Sequence, residues 1–205
     1  MIVFFVYNIL IFNYKDTKNY RDYQLFKRIS YPELRYEGII VLSGGVGSEV
    51  YSHVVSDDIA GLDATIKWYK QTFGVDYYLE LQRCADFDLK SDTPSDLMLE
   101  QQKVNAVLMQ KAKEYGVKVV ATNDVHYVTP DDLAAYNIQQ CYATGKTMDE
   151  FAKTDILQFR WLTSRKHMCE LFSDVPDAIA NTMDITLSKS LMLFATLGWL
   201  IKWLI

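Results

Sequence analysis

Short β-branched or aromatic apolar runs alternate, between Gly38 and Ala143, with stretches whose apolar residues recur every three or four positions. No other feature limits the fold so tightly. The runs are GIIVLS at 38 to 43, YYLELQ at 77 to 82 and VKVVAT at 117 to 122, and each reads as a strand. Gly44 and Gly45 stop the first in a tight turn. Ile59, Leu62, Ile66, Tyr69 and Phe73 then make one helical face, opened by Asp57 and Asp58 and closed by Gly74. Val104, Val107, Leu108, Ala112 and Tyr115 make a second, with Gly116 placed for a left-handed C-terminal cap. Thr129, Pro130, Asp131 and Asp132 supply a capping hydroxyl, a first-turn proline and two acids for a third helix, reaching about Ala143. Strand and helix in alternation predict an α/β fold with a parallel sheet or barrel, whose chemistry sits where strands end and loops begin. The acid-rich stretch from Cys84 to Leu97 reads as a surface loop. Residues 150 to 161 are irregular, and helical segments are expected near 167 to 172 and 176 to 185.

The 205 residues, 50% of them hydrophobic, suffice for one domain with a sizeable core. A net charge of −5, from 26 acidic and 21 basic residues, gives no overall field favouring nucleic acid or an anionic membrane. Basic and aromatic residues interleave only from Tyr14 to Arg28, where a solvated helix or linker is the simpler reading than a nucleic-acid patch. Cys84, Cys141 and Cys169 form no CxxC pair, which fits buried thiols in a reducing cytoplasm. The ends are apolar. MIVFFVYNILIF at 1 to 12 lacks the basic flank and cleavage site of a signal peptide. LMLFATLGWLI at 191 to 201 falls short of the about 18 to 20 apolar residues that span a bilayer, so a membrane anchor is not expected.

The run Asn123, Asp124, Val125, His126, Tyr127 follows the third strand directly. An Asp and a His two apart at a strand end can aim at one divalent metal, while the same pair also suits a hydrogen-bonded structural Asp beside a partly exposed His. His53 and His167 are the only other histidines, few for a hydrolytic metal centre. Thr144, Gly145, Lys146 and Thr147 imitate the tail of a phosphate-binding loop, but Gln140 stands where its first glycine belongs, so Gly145 reads as a helix stop. Gly44, Gly45 and Gly47 lack the third glycine of a dinucleotide fingerprint, since Val50 holds that place. Glu80 suits either an exposed edge or a site-facing carboxylate. Ser43 and Ser48 have no neighbouring base, and no catalytic nucleophile is assigned.

Taken in order, YEGII at 36 to 40, LSGGVGSEV at 42 to 50, IKWYKQTFG at 66 to 74, YYLELQR at 77 to 83, KVNAVLMQKAKEYGVKVVATNDVHY at 103 to 127, CYATGKTMDE at 141 to 150 and ELFSDVPDAIANTMDI at 170 to 185 resemble the polymerase and histidinol phosphatase (PHP) domain of the bacterial DNA polymerase III alpha subunit. The resemblance implies a partial PHP-type βα barrel holding the later strands, with a helical C-terminal part. It divides the chain into an unmatched segment at 1 to 35, the partial PHP domain at 36 to 150, a helical segment at 151 to 185 and an unmatched apolar tail at 186 to 205. It makes Asp124 and His126 ligands of a divalent metal (zinc, manganese or magnesium), bound weakly or vestigially, because the opening HxH motif is not found and Gly45 stands where the family can place a cysteine. The parent's partners are DNA and other replisome subunits, and its task is template-directed DNA synthesis in the cytoplasm. The polymerase palm, fingers and clamp-binding tail are not expected here. A stand-alone metal-dependent phosphoesterase and a non-catalytic interaction module are the alternatives. An incomplete barrel is also expected to leave an open, sticky sheet edge, with both apolar ends packed loosely or not at all.

Overall fold

The computed structural model describes residues 9–11, 40–84, 96–152 and 159–197, with side chains at 40–84, 96–150 and 159–186. The basic and aromatic stretch from Tyr14 to Arg28 and most of the acid-rich loop, residues 85 to 95, lie outside them. Four parallel strands pair in chain order: β1 (Ile9–Ile11), β2 (Ile40–Leu42), β3 (Tyr77–Gln82) and β4 (Lys118–Thr122). Parallel neighbours need crossovers, and helices supply them. Between β2 and β3 run α1 (Glu49–Val55) and α2 (Ile59–Phe73), between β3 and β4 runs α3 (Asp96–Tyr115), and after β4 come α4 (Leu133–Thr144), α5 (Met148–Ala152), α6 (Arg165–Leu171) and α7 (Pro176–Leu197).

Local chemistry sets these boundaries. Ser48 caps α1 by accepting from Tyr51 N–H, and Asp58 caps α2 by accepting from Gly61 N–H. Gly116, at φ +58°, ends α3 in the left-handed region. Thr129 and Asp132 form a capping box ahead of α4, and Gly145 at φ +67° closes that helix, the stop its sequence predicts. The sequence gives no sign of the short helix α1, because seven residues burying Val50, Tyr51 and Val54 carry too little periodicity.

The two faces of the sheet differ. One packs Val41, Tyr77, Leu79, Leu81 and Ala121 against Val50, Leu62, Ile66, Val104 and Leu108 of the helices between the strands. The other joins Ile40, Leu42, Tyr78 and Val120 to Ile185 of α7. Side chains alternate along a strand, so Glu80, Gln82 and Thr122 follow on this second face and turn its carboxyl end polar.

The inner strands are paired on both sides, and the outer side of β4 is covered by a helix. β1 pairs with β2 from Ile9 opposite Ile40 to Ile11 opposite Leu42, which corrects the expectation that the N-terminal segment stays unengaged and makes β1 the outermost strand on that side. Along the outer edge of β4, Asn181 donates to Val119 C=O at 2.8 Å and Thr182 Oγ1 accepts from Ala121 N–H at 3.0 Å. Helix α7 thereby acts as a surrogate strand, and its span to Leu197 carries the helix past 185 into the apolar tail. Among the described residues no helix is long and apolar enough to cross a membrane. The turn before α7 is stapled to β3. Arg83, whose side chain is 2% exposed, forks onto Asp174 at 2.5 and 2.8 Å and lies 4.6 Å over the Phe172 ring. Cys84 and Cys141 are buried as expected, whereas Cys169 is exposed: it lies on the outer side of the short helix α6, away from Leu171, which the core takes up.

Candidate functional site

The polar residues gather beyond the carboxyl ends of β2, β3 and β4. After β2 the chain turns through Gly44 and Gly47, at φ +79° and +83°, a region that glycine enters without strain. Ser43 Oγ accepts from Glu80 N–H at 2.8 Å and so ties the turn to the middle of β3. Gly45 lies against the Gln82 amide, and a Cβ there would come within 2.5 to 2.6 Å of it. Gln82 Oε1 in turn accepts from Val46 N–H at 3.1 Å. The place of the cysteine that the family resemblance would put at Gly45 is thus filled by a glutamine from the next strand.

Glu80 is buried on β3, one of the two inner strands, which decides between its two readings in favour of the inward one. Thr122 O–H donates to Glu80 Oε1 at 2.6 Å. Burial pushes the Glu80 carboxyl above its ordinary range, and the nearby Asp124 charge adds to this, while the Thr122 hydroxyl and the Gly44 N–H oppose it. Tyr51, on α1, donates to Glu100 at 2.7 Å, and burial raises its phenol first, with that acceptor adding to the effect.

Asp124 and His126 come together, as their spacing predicts: Asp124 Oδ1 lies 3.1 Å from His126 Nε2. The sequence gives no sign of the third member. Arg160, with a side chain only 1% exposed, donates from one guanidinium nitrogen to Asp124 Oδ2 and places that nitrogen 3.1 Å from His126 Nε2. His126 Nδ1 meets the Tyr136 hydroxyl of α4 at 2.8 Å, which fixes the ring from behind. The backbone holds Arg160 in position: His126 N–H donates to its carbonyl at 2.8 Å, its own N–H donates to Tyr127 Oη at 3.2 Å, and Tyr127 pairs with Trp161 in a parallel bridge.

This arrangement does not fit the divalent metal that the resemblance implies. Among the described residues no group of three or more His, Cys, Asp or Glu side chains could hold one. The Asp124 carboxylate and His126 Nε2, the atoms a metal would bind, already face a guanidinium. Arg160 falls in the stretch that carries no periodicity, and Gln82, Thr122 and Tyr136 read from the sequence as ordinary strand and helix residues.

Fold and cluster together define a parallel α/β protein with a polar site at the carboxyl ends of its strands. No family model matches the chain. It is similar to DNA polymerase III alpha subunits: 34% identical over 151 residues to that of Borreliella burgdorferi, 32% over 150 to that of Escherichia coli and 30% over 161 to that of Helicobacter pylori. In each case 73% of this chain is matched, and the chain spans 12% of the relative's length. Over that segment the chain belongs with the DNA polymerase III alpha subunits.

Proposed function

We propose that the chain is the PHP portion of a DNA polymerase III alpha subunit and serves as a scaffold there. Template-directed DNA synthesis, with DNA and other replisome subunits as partners in the cytoplasm, belongs to the parent protein. The observation that carries the scaffold role is the Arg160 guanidinium lodged against Asp124 and His126. A metal-dependent hydrolytic centre needs an open coordination position and a metal-activated water, and a guanidinium lodged against Asp124 and His126 supplies neither. The Gln82 amide packed against Gly45 supports the same reading, because it fills a further ligand position with a neutral group.

The test is direct. The purified chain is incubated with end-labelled single-stranded DNA, and separately with a primed template and nucleotides, in zinc, manganese or magnesium. Neither shortening nor extension above a protein-free control is expected. Metal-dependent shortening that disappears in Asp124→Asn and in His126→Ala would replace the scaffold with the phosphoesterase reading.

A further inference from the structure

We propose that Arg160 is the resident cation of the strand-end site, a guanidinium occupying the place of a metal ion and holding the segment around Trp161 to the end of β4. The inference deepens the scaffold reading and rests on it in taking the site as non-hydrolytic. Asp124 offers two carboxylate oxygens, and His126 Nε2 lies 3.1 Å from one of them and 3.1 Å from the Arg160 nitrogen. Such a convergence calls for positive charge. Arg160 is nearly sealed from water, and a buried guanidinium without an anion beside it would be strongly unfavourable. Each partner therefore requires the other.

The guanidinium also suits the task in shape. It is planar and always charged, and a single nitrogen touches both Asp124 and His126. A metal would have to be recruited from solution, whereas this cation arrives on a backbone already clamped by His126 N–H and Tyr127 Oη. The site is thus complete at any metal concentration.

Removing the side chain should leave a hole shaped for a small guanidinium. Arg160→Ala is expected to melt roughly 5–10 °C below wild type. Methylguanidinium, at concentrations that do not raise the wild-type melting temperature, should recover at least half of that loss, and methylammonium at equal concentration should not. Arg160→Lys, which keeps the charge and loses the planar group, should melt between wild type and Arg160→Ala. Calorimetric titration of wild type with zinc should show no saturable site. That measurement and the Arg160→Lys melt decide the matter if Arg160→Ala does not fold. The proposal fails if Arg160→Ala melts with wild type, if methylammonium rescues equally well, or if wild type binds zinc at a site lost in His126→Ala. DNA hydrolysis by wild type would instead remove the scaffold reading, and the two failures are told apart by their readouts.

Discussion

Glu80 shows at the residue scale how the site balances its charges. Its carboxyl is shut away from water beside Asp124, so the folded protein holds the Glu80 proton more tightly than the unfolded chain, whose carboxyl ionises near 4.5. A folded-state pKa raised in this way gives stability that is present in full below the unfolded value. That stability is lost as the pH climbs from there through the folded value, at about 1.4 kcal/mol for each unit of the window. Glu80→Gln cannot ionise and escapes the loss. Urea midpoints of wild type and Glu80→Gln, compared at pH 5 and pH 8, should shift in the variant's favour at the higher pH. A difference that stays constant would mean that Glu80 is ionised in the folded protein across the range. The sequence makes Asp124 and His126 legible because their spacing and the strand before them fix where both side chains point. Arg160 is invisible in it, since a cation reaching the site from residues far along the chain leaves no local pattern.

At the scale of elements, strands and long helices are legible because burial imposes a period on them. Helix α2 spans Ile59–Phe73 and buries the predicted Leu62, Ile66, Tyr69 and Phe73, while Ile59 at its start is exposed, and β3 and β4 occupy the expected runs almost residue for residue. Helix α1 is too short to show a period, and the length of α7 is hidden because its partner is a strand edge as well as an apolar face. That partnership has a measurable consequence. Ala121 N–H points away from β3 and its residue is buried, so the Thr182 hydroxyl is the acceptor that replaces a neighbouring strand. Thr182→Val keeps the side-chain shape and removes the acceptor, leaving a buried amide unsatisfied at a cost of about 1–2 kcal/mol. Urea denaturation of the variant should show that loss with an unchanged slope. A loss of only a few tenths would mean that the helix covers the edge by packing alone.

In the whole molecule, a four-stranded parallel sheet has backbone groups along its strands that can pair with other chains wherever they are left uncovered. Sequence reasoning expects an open edge, because the segments matching the family start after the chain's first 35 residues and nothing in MIVFFVYNILIF marks a strand more than it marks any other apolar element. Long-range pairing decides, and pairing between residues about thirty positions apart is not written in either segment alone. With β1 laid along β2 and α7 along β4, the backbone groups of β2 and those on the outer side of β4 find partners within the same chain. The N-terminal strand then protects the sheet more than its three residues suggest, since β2 is itself only three residues long and lies next to it. Deleting residues 1 to 12 should uncover the amides and carbonyls along β2 and give the chain a route to pair with a second copy. Light scattering at matched concentration should report a larger mean mass for the deletion variant than for the full chain. Lysine placed at Val41, which sits in the buried core against the helices, would confound the test by unfolding the sheet, so the deletion is the cleaner change. Equal masses for the two proteins would show that β1 is dispensable for covering the edge, and that whatever association the chain has arises elsewhere on its surface.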